Sequence, residues 1–177
     1  MGGSGSVEGV PQAVVSAIGP DRAGIVARVT AVLLEHGCNI ADSHMGLLSG
    51  RFTMMLVIAV PDDADRSRLT VELEHAAAEL GLDALHVEPV TASVAAAPPT
   101  HVVTVYGADH TGIVAAVTAA LAAGGASITD LQTRLGDDLY VMTLEVSGGD
   151  GAEAALRDVA AAQGLEVSVR AIDADVL

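Results

Sequence analysis

Residues 13–60 read AVVSAIGPDRAGIVARVTAVLLEHGCNIADSHMGLLSGRFTMMLVIAV, and residues 101–148 read HVVTVYGADHTGIVAAVTAALAAGGASITDLQTRLGDDLYVMTLEVSG. Set at an offset of 88, they match without a gap at 18 of 48 positions. Abundant alanine accounts for some of these matches. It does not account for Gly19 with Gly107, Asp21 with Asp109, Gly24 with Gly112, Gly37 with Gly125 and Asp42 with Asp130. Two copies make a pair of domains, since a solenoid needs three or more repeats. Between them runs TASVAAAPPT, residues 91–100, small and uncharged with Pro98-Pro99, as a semi-rigid linker would be. The expected organisation is a disordered leader over 1–10, a first domain over 11–90, the linker, and a second domain over 101–177.

Each copy reads as strand, helix, strand, strand, helix, strand. In the first, Ala13–Ile18 is an apolar run ending at the turn signal Gly19-Pro20. Ile25, Val29, Val32 and Leu33 then recur at helical spacing, and Gly37 stands where a helix C-cap belongs. Cys38–Leu48 and Phe52–Val60 are expected to form a hairpin through Ser49-Gly50. Asp65–Leu80 reads as the second helix, with Asp65 as N-cap and Gly81 past its end, and Leu82–Val90 as the last strand. The second copy repeats this as His101–Tyr106, Gly112–Ala123, Ser127–Leu135, Leu139–Val146, Ala152–Gln163 and Leu165–Ile172. Its hairpin turn is Gly136-Asp137-Asp138, and Asp150 and Gly164 are expected to cap its second helix. The order βαββαβ is the α+β, ferredoxin-like split βαβ unit, a four-stranded antiparallel sheet with helices on one face. The other face is left to water or a partner.

Composition excludes several classes of function. The chain of 177 residues carries 23 acidic and 8 basic side chains, a formal net charge of −15. All eight basic residues are Arg. Binding a duplex needs clustered cations to release phosphate counterions, so direct nucleic-acid binding is not expected, nor attraction to anionic membranes. With two Tyr, one Phe and no Trp, stacking platforms for single strands are nearly missing. The lone Cys38 requires no oxidising compartment, no apolar run is long enough to span a bilayer, and the Met-Gly-Gly-Ser-Gly-Ser start is no secretory signal. A cytoplasmic location is expected.

The turn after each first strand carries the most chemical information: Gly19-Pro20-Asp21-Arg22-Ala23-Gly24-Ile25-Val26 and Gly107-Ala108-Asp109-His110-Thr111-Gly112-Ile113-Val114. Glycine lets a backbone turn sharply and approach a ligand, and a helix start offers free N–H groups to a carboxylate. Asn39 of Gly37-Cys38-Asn39-Ile40 has donor and acceptor atoms, as recognition of a zwitterion requires. Each residue also has a plainer reading. Asp21 and Asp109 suit a helix N-cap as well as a ligand contact. Gly24 and Gly112 serve close helix–sheet packing as readily as ligand approach. Asn39 could satisfy a strand end, and Arg22 could be a solvated loop charge. His44, His75, His86, His101 and His110 share no metal-ligand spacing, Cys38 aligns with Ala126 as a small core filler, and one aspartate per copy at Asp42 and Asp130 is no acid–base pair. No nucleophile elbow, phosphate loop or dinucleotide fingerprint occurs, so neither an enzyme nor a cofactor is expected.

The D-[RH]-x-G-I-V loop followed by G-x-[NS]-I resembles the ACT domain, a small regulatory module that typically binds amino acids. The stretch Gly37-Cys38-Asn39-Ile40-Ala41-Asp42-Ser43 with Phe52-Thr53-Met54 is similar to tandem ACT proteins of the glycine cleavage system transcriptional repressor type. The resemblance covers residues 12–173. It implies a non-catalytic regulator that binds a small amino acid where paired domains meet and acts through a protein partner, in transcriptional regulation of glycine and one-carbon metabolism. It also leaves open a ligand-free adaptor acting as corepressor, or a stand-alone regulatory module of an amino-acid metabolic enzyme. Carried over, the ligand residues are Asp21, Arg22, Ala23, Gly24, Ile25, Asn39 and Ile40, then Asp109, His110, Thr111, Gly112, Ile113, Ser127 and Ile128. The family's usual proline is Ala23 here and Thr111 in the second copy, and Ser127 replaces the usual asparagine. On that ground the first copy is expected to dominate binding.

One strand bears on self-association. Phe52, Met54, Leu56, Ile58 and Val60 fall on one face, and Thr53, Met55, Val57 and Ala59 on the other, also mostly apolar. In the second copy the latter face holds Val141, Thr143 and Glu145, which is wetter. Helices cover one side only, so the first copy is expected to bury its open face against the other copy or in a homodimer.

Overall fold

Alternation of apolar residues sets the strands, and the computed structural model shows them over residues 10–90, 97–136, 139–149 and 151–172, which it describes. The chain divides into two units, one ending at Ser93 and the other beginning at Val94. The first holds β1 (Gln12–Pro20), α1 (Ile25–Glu35), β2 (Asn39–Leu48), β3 (Arg51–Ala59), α2 (Arg66–Leu80) and β4 (Ala84–Pro89). The second repeats the order with β5 (His101–Gly107), α3 (Ile113–Ala123), β6 (Ser127–Leu135), β7 (Tyr140–Ser147), α4 (Ala152–Gln163) and β8 (Leu165–Ala171). The sheets are antiparallel, ordered β2-β3-β1-β4 and β6-β7-β5-β8. This is the expected βαββαβ fold, twice. The leader residues 1–9, linker residues 91–96, Asp137, Asp138 and Asp150 lie outside the described residues.

Burial follows the period of two. Ala13, Val15 and Ala17 of β1 and Phe52, Met54, Leu56 and Ile58 of β3 are buried under α1 and α2. From the helices come Ile25, Val29, Val32 and Leu33, and Leu69, Leu73, Ala76 and Ala77. The second core is built alike, from Val103, Val105, Met142, Leu144 and Val146 against Ile113, Val117, Leu121 and Leu156. Covering one face of a sheet with amphipathic helices removes the apolar stripe of both from water, the dominant favourable term in folding.

The uncovered faces differ as the sequence suggests, though less sharply. Met55 is 54% and Ile18 42% exposed, while Val57 is half-buried and Ala59 buried. In the second unit Thr143 faces Gln132 and Glu145 faces Asp130 across the ladder. The edge strand β2 also leaves Met45, Leu47 and Leu48 exposed.

The end of β1 departs from the sequence reading. Gly19 and Pro20 were expected to turn, but they stay in β1, paired with Phe52 and Arg51. Pro20 is tolerated there because it is the last residue of the ladder. Gly19 is needed because a Cβ would stand 2.8 Å from the Leu82 Cα. The β2–β3 hairpin turns through Ser49 at φ 50° and Gly50 at φ 76°, both left-handed as a two-residue type I′ turn requires. Both β2 and β6 carry a bulge, between Ile40 and Asp42 and between Ile128 and Asp130.

Candidate functional site

The chain leaves β1 at Asp21, whose N–H donates to the Gly50 carbonyl at 3.2 Å, and enters α1 through Gly24. Gly24 has φ 94° and Gly112, its counterpart before α3, has φ 99°. A Cβ at either would meet nothing within 4 Å. Positive φ, rather than close helix–sheet packing, is therefore what demands glycine at both sites. Gly24 and Gly112 are themselves the N-caps, and no side chain caps either helix. Asp21 and Asp109 thus do not have the cap role that their residue type suggests. The left-handed glycine sets the helix start, and both aspartates are exposed.

The first-turn N–H groups of α3 are consequently free of side-chain acceptors, as four per helix start must be without a cap. Beside them opens a cavity of about 360 Å³ lined by Asp109, His110, Gly112, Ile113, Val114, Ala115 and Tyr140. It joins the positive end of a helix, the acidic residue Asp109 and the aromatic residue Tyr140. Four of the residues carried over for the second copy line it: Asp109, His110, Gly112 and Ile113. Thr111 is an exposed loop residue, and Ser127 and Ile128 begin β6 without lining it. In the first unit Asp21, Arg22, Ala23, Gly24, Asn39 and Ile40 are exposed, and Ile25 is buried in the core.

The two basic loop residues have a task that sequence separation hides. The Arg22 guanidinium lies over Gly81, with atoms 3.2 to 3.4 Å from where a Cβ there would stand. Gly81 is the left-handed C-cap of α2, at φ 67°. His110 occupies the matching place. Its Nδ1 lies 3.2 Å from the Thr111 carbonyl oxygen and its Nε2 3.2 Å from that of Gln163, the last residue of α4. Each loop is thereby brought against the C-terminal end of its unit's second helix. A neutral ring has a single N–H, so it donates to one of these two carbonyls at a time.

Sequence reasoning missed Tyr140. It is 8% exposed, and its hydroxyl donates to the Met142 sulfur at 3.8 Å. Burial, and then the charge of Asp109, push its pKa above the ordinary phenol value. Cys38 is packed against the first core, and burial raises its thiol pKa, which suits a filler and not a nucleophile. Asp42 Oδ1 accepts from the Ser43 N–H at 2.7 Å and Asp130 Oδ2 from the Gln132 amide at 3.3 Å, each just past its bulge. His36, unassigned from the sequence, pairs with Glu72 of α2 at 2.9 Å. Among the described residues no helix is long and apolar enough to cross a membrane, and no group of three His, Cys, Asp or Glu is placed to hold a metal.

Comparison with known proteins agrees with the fold. The ACT domain model matches residues 12–87 and again 100–170. The UPF0237 protein MK1213 of Methanopyrus kandleri is 40% identical over 75 residues, 42% of this chain and 83% of its own. The UPF0237 protein YjhC of Lactococcus lactis is 42% identical over 77 residues, 44% of this chain and 86% of its own. The crystal structure of an unknown protein from Galdieria sulphuraria aligns with TM-score 0.79 at 28% identity, covering 93% of this chain and 99% of that one. A protein described as a glycine cleavage system transcriptional repressor shares the fold, with TM-score 0.70 at 18% identity over 94% and 99% of the two chains. With one family model matching both repeats over most of the sequence, the chain belongs to the ACT domain family.

Proposed function

We propose that the chain is a non-catalytic regulatory protein whose ACT domains bind a small amino acid at the glycine loops and pass the bound state to a protein partner. The observation that carries this reading is the cavity at the second loop, where uncapped N–H groups of α3 stand with the Asp109 carboxylate. An amino acid needs both, donors for its carboxylate and an acceptor for its ammonium. The ligand acts by favouring one state of the protein, by no more than its differential affinity for the two. The net charge of −15 supports contact with a protein and not directly with DNA. A place in transcriptional control of glycine and one-carbon metabolism rests on the motif resemblance at residues 37–43 and 52–54, and a cytoplasmic location is part of the same reading.

The test is a thermal-shift screen of the twenty amino acids. A ligand at 100 times its Kd should stabilise the protein by about 2.7 kcal/mol. No shift with any amino acid would replace this reading by the ligand-free adaptor. The reading also includes a homodimer through the open face of the first sheet, supported by exposed Met55 and Ile18. Light scattering of the parent and of Met55→Glu with Val57→Lys tests it, a dimer being expected only in the parent.

A further inference from the structure

The two loops are not equivalent, and the residue that separates them sits on the third strand of each unit. Tyr140 opens β7 and pairs with Gly107, as Phe52 in β3 pairs with Gly19. Both rings are buried, at 8% and 2% exposure, yet only one bears a hydroxyl. A buried phenol normally finds a hydrogen-bond partner. That of Tyr140 donates to a thioether, a weak acceptor, and its oxygen lone pairs accept nothing among the described residues. Tyr140 lines the cavity with Asp109 and the first turn of α3. The burial and carboxylate that disfavour phenolate keep the group a neutral hydroxyl with acceptor capacity to spare.

We infer that Tyr140 is the specificity-determining residue of the second loop, its Oη accepting a hydrogen bond from the ammonium group of a bound α-amino acid beside the Asp109 carboxylate. The O–H remains on the Met142 sulfur, and the ligand carboxylate takes the α3 N–H groups. This inference rests on the amino-acid reading above and reverses its expected order, making the second loop the tighter site. Phe52 offers no such acceptor to the first loop.

The chain has no Trp and two Tyr, so Tyr106→Phe leaves Tyr140 the sole strong chromophore. Titration of this variant with each non-aromatic standard amino acid, followed by near-ultraviolet difference absorption, should show a phenol perturbation with the one that binds. Calorimetry should then find binding weakened about tenfold in Tyr140→Phe, the size expected of one hydrogen bond to a charged group. The N-acetylated form of the same amino acid, which has no ammonium, should bind the parent and Tyr140→Phe alike. The unliganded melting temperature should barely move, because phenylalanine is the first unit's own solution. Unchanged affinity in Tyr140→Phe, or a ligand that leaves the Tyr140 spectrum untouched, overturns the inference and leaves the amino-acid reading standing. Failure of every amino acid to bind the parent overturns both.

Discussion

Arg22 and His110 hold matching positions, and each reaches the end of its own unit's second helix by a different chemistry. Arg22 lays a permanently charged plane over the C-cap glycine, whereas His110 bridges two carbonyl oxygens through its ring nitrogens. The helices they reach also differ at the other end. Asp65 caps α2 through its Oδ1, which accepts from the Arg68 N–H at 3.0 Å. Gly151 stands at the N-cap of α4 with no side-chain bond. At these loops and helix ends the backbone solutions are shared between the units and the side-chain solutions differ. The fold therefore depends on the former, while the latter are free to differentiate the two loops.

The largest effect that could break this equivalence is expected at Gly19 and Gly107. At Gly19 a Cβ meets the Leu82 backbone Cα at 2.8 Å, which cannot move without shifting the chain. At Gly107 the closest atom, at 2.7 Å, is the Leu165 Cδ2, which can rotate away, and backbone follows only at 3.3 Å. Gly19→Ala should cost about 1–3 kcal/mol in a denaturant titration, in the range of overpacked sites, and Gly107→Ala clearly less. Equal costs would show that the close approach is shared in energy as well as in shape.

A smaller difference is expected at the caps. Asp65→Ala should cost about 1 kcal/mol, because an orphan N–H loses its acceptor. Gly151→Ala has no cap to lose, a negative φ of −94° and open space around the new methyl. It should be neutral or stabilising by up to about 1 kcal/mol, by restricting the unfolded chain. The comparison would fail if both substitutions destabilised alike.

The smallest effect is in pH dependence. A hydrogen bond from Arg68 first, and from His36 second, lowers the Glu72 pKa. A carboxylate with a depressed folded pKa stabilises the fold above its unfolded value, near 4.3, and loses that contribution as pH falls through the folded value. The corresponding residue of α4 is Ala155, so this carboxylate has no counterpart in the second unit. Glu72→Gln should flatten the acid limb of a stability–pH profile below about pH 5 and leave the neutral region nearly unchanged.

The duplication and the binary pattern made the architecture legible, because both depend on neighbours in sequence. Asp65, Gly81 and Gly164 fall where local capping rules place them. Asp21 and Asp109 fail the same rules, since a glycine with positive φ at the helix start moves the cap three residues on. The Arg22 and His110 tethers were not legible, for each joins a loop to a helix end more than 50 residues away. Tyr140 could have been noticed. A tyrosine aligned with a phenylalanine at an inward strand position introduces a hydroxyl that a core does not want.

The bulges of β2 and β6 fall at the same place in both units, between Ile40 and Asp42 and between Ile128 and Asp130. An extra residue in one strand reverses the inside–outside alternation of everything beyond it, so it is not gained or lost without compensation along the strand. Its presence in both units dates it before the gene doubled. The same reasoning makes the left-handed Gly24 and Gly112 ancestral, and puts the divergence of Phe52 from Tyr140 and of Arg22 from His110 after the doubling. The molecule thus keeps a record of its history: one single-unit ancestor whose backbone was already settled, followed by two copies free to specialise.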